Sequence, residues 1–366
     1  MTAFTDADRA HMARALLLAE RGLYTTTPNP RVGCVIVANG VVVGEGWHER
    51  AGLPHAEINA LADAAAHARN PRGATMYVTL EPCNHTGRTP PCVDAVIAAG
   101  IGRVVAAIED PNPGAANGAA RLRAAGIAVD FGLLGDEARE QNIGFVSRMT
   151  RGRPWVRMKA ASSLDGRTAL EGGESKWITG EAARADGHRW RARACAILTG
   201  HGTVHHDDPQ LTVRAIATSR QPRRIVIDRK AETPPTARVL ADDNVLMVTA
   251  GGRSPSWRAG VDHLALPDAN GRIDLGALMD ALGERGINEL HVEAGGKLNG
   301  ALLDARLVDE VLLYVAPCLI GDPARGIAEF PSALAHLSDR IALAVREVTR
   351  VGEDLRIVAR VTHRES

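Results

Sequence analysis

Aromatic side chains make up only 3% of this 366-residue chain: three tyrosines, four phenylalanines and five tryptophans. So few rings leave little surface on which single-stranded bases could stack. Net charge is also missing, since 43 Lys+Arg balance 43 Asp+Glu. A nucleic-acid or anionic membrane partner recognised through a global basic field is therefore excluded. The cysteines are Cys34, Cys83, Cys92, Cys195 and Cys318, an odd number whose spacing forms no disulfide framework. No apolar run reaches membrane-spanning length. Thr2–Arg14 is polar and charged where a secretory signal would be apolar. The expectation is a cytoplasmic protein with no membrane and no nucleic-acid partner, whose thiols stay reduced.

Length and a hydrophobic content of 45% suit two domains with sizeable cores. Thr5 followed by Asp8 predicts a capped helix start, and Met12, Ala15, Leu16 and Ala19 continue at helical spacing to Gly22. Gly33–Val37 and Val41–Val43 flank Asn39-Gly40, a hairpin signal. Strands are expected at 74–80, 103–108 and 127–129, with helices to about 68, at 92–99 and near 115–125. A polar connecting helix is expected over 135–149, and Arg151-Gly152-Arg153-Pro154 reads as the linker. The boundary is set near 150, giving domains 1–150 and 151–366. Beyond it, strands at 155–161, 194–199, 224–228, 244–249, 289–293 and 308–315 alternate with helices at 181–193, 274–285 and 301–306, and a terminal hairpin closes the chain. Both halves thus read as α/β.

The chemistry concentrates in Pro54-His55-Ala56-Glu57 and Glu81-Pro82-Cys83, the latter continuing through Cys92. His55, Cys83 and Cys92 make three ligands for zinc, one short of a closed structural site. The open position is where a catalytic zinc keeps water, and Glu57 is placed to move protons there, the arrangement of zinc deaminases. Eight residues separate the cysteines, where two are usual. The alternative is a closed site with His85 as fourth ligand, in which Glu57 has no use.

In the second half, strand, glycines and helix follow one another at Glu289–Glu293, Ala294–Gly300 and Ala301–Arg306. That is a geometry for cradling phosphate on backbone N–H groups. It is not a G-x-G-x-x-G fingerprint. Arg191 within the basic helix 181–193, and Arg214 after Asp207-Asp208-Pro209, are forked donors suited to phosphate.

EPCNHTGRTPPC, with PHAE and PNPRVGCVIV upstream, resembles the deaminase half of the bifunctional riboflavin-biosynthesis deaminase/reductase family. KAASSLDGRTAL, GESKWIT, RARACAILTGHGTV, DDPQLTVR and VEAGGKLNGALL resemble its reductase half, in the same order. The resemblance runs from about residue 10 to 361. It implies a cytidine-deaminase-like α/β/α layered domain followed by a dihydrofolate-reductase-like α/β domain. It also implies Zn2+ and NADPH as cofactors, a phosphoribosylaminopyrimidine as substrate, and a homo-oligomer, dimer or tetramer. Carried over by position, Glu57 is catalytic, His55, Cys83 and Cys92 hold zinc, and Asn29 touches the substrate ring. Ala161, Trp177, Thr203, Asp207 and the turn Gly295, Gly296, Lys297, Leu298, Asn299, Gly300 and Ala301 line the NADP site. Ser175, Arg191, Leu211, Arg214 and Glu293 hold the reductase substrate. Lys297 faces either an NADP phosphate or solvent, and Lys159 and Asp165 are alternative proton donors for reduction. Two competing readings are a nucleic-acid base deaminase with an appended nucleotide-binding module, and a second half that only senses nucleotide.

Overall fold

A computed structural model describes residues 4–86, 90–115, 117–251 and 257–362. Gly87, Arg88 and Thr89 of the inter-cysteine insert, Ala116 of the fourth expected helix, and Thr2 and Ala3 of the polar start lie outside the described residues. The chain divides into Met1–Gly152 and Arg153–Ser366. No described helix is long and apolar enough to cross a membrane.

The first unit runs α1 (Asp6–Glu20), β1 (Gly33–Ala38), β2 (Val41–Trp47), α2 (Ala56–Ala66), β3 (Thr75–Val78), α3 (Cys92–Ala98), β4 (Arg103–Ala106), α4 (Gly118–Ala124), β5 (Ala128–Phe131), α5 (Gly135–Gln141) and α6 (Ile143–Arg151). Its sheet has the order β2-β1-β3-β4-β5, with β1 antiparallel to both neighbours and β3, β4 and β5 parallel. Thr5 and Asp8 cap α1 reciprocally, as their spacing implies. Asn39 and Gly40 turn the hairpin, both at positive φ. Helix α2 lies so close to β2 that a Cβ on Gly46 would sit 2.4 Å from the Ala60 nitrogen and 2.6 Å from the Ala56 oxygen. This contact fixes the start of α2, and with it His55 and Glu57, against the sheet.

The connecting helix expected over 135–149 is two helices. Asn142 breaks it because its amide is committed elsewhere: it accepts from the Arg31 N–H at 2.7 Å and donates to the Arg31 carbonyl at 2.8 Å. Nor is the segment a polar join, since Phe145 is buried in the core of the first unit. Helix α4 begins at Gly118, and the strand expected over 74–80 is confined to Thr75–Val78.

The second unit runs β6 (Trp155–Ser163), β7 (Arg167–Leu170), α7 (Glu181–Arg193), β8 (Ala196–Gly200), α8 (His201–Asp207), β9 (Arg223–Ile227), β10 (Val245–Thr249), β11 (Asp262–Ala265), α9 (Leu275–Glu284), β12 (Glu289–Val292), α10 (Gly296–Asp304), β13 (Glu310–Ala316), β14 (Ala324–Gly326), β15 (Ala342–Val351) and β16 (Asp354–Thr362). Nine strands form one sheet in the order β11-β10-β9-β8-β12-β6-β13-β16-β15, and β7 pairs with β14 separately. From β11 to β13 every pairing is parallel. After β8 the chain builds outward to β11, then returns through α9 to place β12 on the other side of β8. Ligands of open α/β sheets bind beside the carboxyl ends of strands at such a reversal.

Two local readings change. The glycine-rich turn is already helix, because α10 begins at Gly296. A Cβ on Gly300 would sit 1.9 Å from the Glu329 oxygen, so that glycine is required by close backbone packing. Helix α7 is not simply a solvated basic face either: Arg193 turns inward to Glu289 at 2.7 Å, and Arg191 pairs with Glu293.

Candidate active sites

His55 is the residue that caps α2, with extended backbone and no capping bond from its side chain, which leaves the imidazole available. Cys83 follows β3, and Cys92 opens α3. His55 Nδ1 lies 3.5 Å from Cys83 Sγ and 3.3 Å from Cys92 Sγ. All three ligand atoms fall within 4.8 Å of one another. An imidazole nitrogen and a thiolate bound to one tetrahedral zinc are about 3.5 Å apart, from bond lengths near 2.1 and 2.3 Å. The residues therefore fit such an ion. The thiol chemistry agrees. Cys92 lowers the Cys83 thiol by hydrogen bonding against the effect of burial, while the same contact, with burial and Glu57, pushes Cys92 up. A divalent cation bound between them would favour the thiolate form of both sulfurs. His85 is exposed and, among the described residues, no fourth member joins the group.

Glu57 sits in the first turn of α2 and is 3% exposed. Burial, reinforced by Cys83 and opposed by His55, raises its carboxyl to about 7. His55, Glu57, Cys83 and Asn29 line one cavity of about 540 Å³ together with His48, Asp110 and Asn112. His48 was not singled out by its sequence context. Its Nδ1 is 3.1 Å from the Pro54 carbonyl, and its Nε2 is 3.1 Å from Asn29 Nδ2. Nδ1–H therefore donates to Pro54, and Nε2 accepts from the Asn29 amide. This turns Asn29 so that its Oδ1 is left for another donor. Burial lowers the His48 pKa and favours that neutral form. The only advance signal for His48 was its place just after β2, which many core histidines share.

In the second unit, the expected residues gather at the carboxyl ends of the central strands. Ala161 lies on β6, Thr203 and Asp207 on α8 after β8, and Glu293 just after β12. Gly200 and Leu298 are neighbours, so α8 and α10 start side by side. Lys176 Nζ reaches Asp207 Oδ1 at 3.2 Å and draws the Ser175–Trp177 segment to α8. Trp177 is 70% exposed and carries Arg184 over its ring at 4.6 Å. Leu211 is buried at positive φ. Within 295–301 the faces separate. Asn299 is buried, donating to the Ala294 and Ile327 carbonyls, and Gly300 packs on Glu329. Outward contact falls to the first turn of α10, where N–H groups have no partner within the helix. The Arg191 fork, expected to be open for phosphate, is closed on both oxygens of Glu293.

A family model described as the RibD C-terminal domain matches residues 154–357, and one described as the cytidine and deoxycytidylate deaminase zinc-binding region matches 5–108. The riboflavin biosynthesis protein RibD of Escherichia coli K12 is 48% identical over 362 residues, covering 95% of this chain and 98% of that protein. The chain belongs to the RibD family. The RibD of Haemophilus influenzae is 45% identical, with 98% of each chain covered. Acinetobacter baumannii RibD superposes with a TM-score of 0.89 at 41% identity, over 98% of this chain and 99% of that one. A Thermotoga maritima deaminase/reductase gives 0.89 at 35% identity, over 97% and 99%. As a RibD, the chain is an enzyme of riboflavin biosynthesis that pairs a deaminase domain with a reductase domain. The cavity around Glu57 lies in the first, and the α8–α10 edge lies in the second.

Proposed function

We propose that the chain deaminates 2,5-diamino-6-ribosylamino-4(3H)-pyrimidinone 5′-phosphate in residues 1–150. Residues 151–366 then reduce the ribosyl side chain with NADPH, giving 5-amino-6-(5-phospho-D-ribitylamino)uracil. The observation that carries this reading is the clustering of the His55, Cys83 and Cys92 ligand atoms beside a cavity that His55, Cys83 and buried Glu57 line. His55, Cys83 and Cys92 would hold a zinc ion, which would supply the Lewis acidity that activates water near neutral pH. Glu57 takes a proton from water and returns it to the nitrogen that leaves as ammonia. A carboxyl raised to about 7 is suited to both transfers. Asn29, held by His48, accepts from the pyrimidine ring through Oδ1.

In the reductase, NADPH supplies the hydride. The first turn of α10 and the residues of α8 hold the nucleotide. Arg214 binds the phosphate. Of the two candidate proton donors, Lys159 fits better. Ser163 and the N–H groups of Gly321 and Ile320 hold Asp165 ionised, with its carboxyl lowered to about 2. Lys159 is lowered by burial and faces Glu293 and Arg191. A coupled assay tests the whole reading. With one aminopyrimidine substrate, NADPH loss should begin only after ammonia release, and RNA should yield no ammonia. NADPH loss without prior ammonia release would overturn the order of steps.

A further inference from the structure

We propose that Glu81 is a positioning residue of the deaminase: it neither relays the proton nor holds the metal, but sets the loop that presents Asp110 and Asn112 to the substrate. This rests on the reading above that the cavity around Glu57 binds the aminopyrimidine. Glu57, Glu81 and Asp110 all line that cavity, and they differ in what holds them. Glu81 is 6% exposed, and each of its oxygens accepts a backbone N–H, Oε2 from Asp110 at 3.1 Å and Oε1 from Ala119 at 2.8 Å. Hydrogen bonds to a carboxylate are stronger than those to a neutral acceptor. Ala119 lies in the first turn of α4, whose N-cap residue Asn117 makes no capping bond from its side chain, so Glu81 supplies an acceptor from outside the helix. Backbone contacts strap the same two segments together. The Glu81 N–H donates to the Ile108 carbonyl at 3.0 Å, and the Asn84 N–H to the Ala115 carbonyl at 3.1 Å. A Cβ on Gly118 would sit 1.9 Å from the Pro82 oxygen. Within the loop, Asp110 Oδ1 accepts from the Asn112 N–H at 2.9 Å, and Asn112 Oδ1 from the Gly114 N–H at 3.1 Å. Among the described residues, Asp110 Oδ2 and Asn112 Nδ2 make no further hydrogen bond, so an acceptor and a donor stand together at the cavity wall. That pair suits a pyrimidine edge carrying an amino N–H beside a ring acceptor. One carboxylate thus ties the segment bearing Cys83 to the loop bearing both groups.

The test follows ammonia release from the aminopyrimidine by wild type and Glu81→Gln. Glutamine keeps the shape but turns an NH2 group toward one of the two backbone donors, so the loop loses one of its ties. KM should rise about tenfold and kcat change by less than about threefold, with zinc content at the wild-type level. Reduction of already deaminated substrate should be unchanged. In an Asp110→Ala/Asn112→Ala background, Glu81→Gln should lower kcat/KM no further, because the groups it positions are gone. A full loss in that background, or a loss of zinc with KM unchanged, overturns the proposal. In the wild-type protein the Asp110 and Ala119 amides should exchange slowly with solvent. Exchange at the rate of an open loop overturns the proposal even if the Gln variant fails to fold. If wild type releases no ammonia from the aminopyrimidine, the reading above falls and this inference with it. If it does release ammonia and only the Glu81 results fail, that reading stands and the positioning role is lost.

Discussion

Arg191 and Glu293 close on each other through two hydrogen bonds, Nε to Oε1 at 2.5 Å and Nη2 to Oε2 at 2.8 Å. Burial alone would raise the Glu293 carboxyl, but Arg191, His291 and Lys159 outweigh it and hold the group well below the usual carboxylate range. The pair is therefore ionised, and removing one member strands the other. Glu293→Gln would leave Arg191 facing Lys159 and Arg214, with an expected loss of about 3 kcal/mol in the second unit. Arg191→Met/Glu293→Met removes both charges and should be less destabilised than either single variant. Four of the five tryptophans, Trp155, Trp177, Trp190 and Trp257, lie in this unit and Trp47 lies in the first, so a urea titration by fluorescence reads this unit once a Trp47→Phe background removes the other signal. A double variant destabilised by the sum of the two single losses would mean that the pair carries no coupling.

Glu57 offers a cleaner separation of roles. Its carboxylate is absent from the three-member ligand group, yet it faces the same cavity. Glu57→Gln should leave metal content at wild-type stoichiometry, because His55, Cys83 and Cys92 are untouched. Ammonia release should fall by at least about a hundredfold, the lower range for loss of a general acid–base group. NADPH oxidation with already deaminated substrate should continue. A variant that loses metal along with activity would show Glu57 to be a structural part of the cage instead.

How much of this was legible beforehand varied with the kind of interaction. Local signals translated directly: the Thr5–Asp8 cap, the Asn39-Gly40 hairpin and the ligand set at 55, 83 and 92 all depend on short spacing or on residue types with few alternative uses. Long-range commitments were opaque. Nothing near Asn142 indicates that Arg31, 111 residues away, would claim its amide and split a helix. Nothing near Gly300 indicates that its small size serves the backbone at Glu329 rather than a phosphate. Arg191 and Glu293 were each recognisable as site residues, but their satisfaction of one another depends on α7 and β12 meeting in the fold. His48 was passed over because a histidine after a strand is common, and only the Asn29 contact gives it a part.

Metal removal should separate the two units functionally. A chelator strong enough to strip the His55–Cys83–Cys92 group should abolish ammonia release, and added zinc should restore it. Reduction of deaminated substrate should be spared. Because a ligand that binds only the folded form stabilises it, about 2.7 kcal/mol is gained at a hundredfold excess over Kd. Amide exchange in α2 and α3 should therefore quicken on stripping, while exchange in β12 and α10 stays unchanged. Loss of both activities together would argue against independent sites.

Acid sensitivity of the first unit should trace to Asp8. Burial would raise its carboxyl, but the Thr5 backbone and hydroxyl, the Tyr77 hydroxyl and Arg103 together hold it far below its ordinary value. Tyr77 OH donates to Asp8 Oδ1 at 2.7 Å and Arg103 Nη1 at 2.9 Å, tying α1 to β3 and β4 at one carboxylate. A group with a depressed folded pKa contributes stability that is fully present above the unfolded value, about 3.9, and is lost as pH falls through the folded one. Asp8→Asn should therefore be less stable than wild type at neutral pH. The gap should narrow progressively below about pH 4, as the wild-type carboxylate is titrated too. Urea midpoints of wild type and variant, followed by amide exchange in α1 from neutral to acid pH, measure this directly. A gap independent of pH would assign the loss to packing around the side chain and remove the carboxylate from the account.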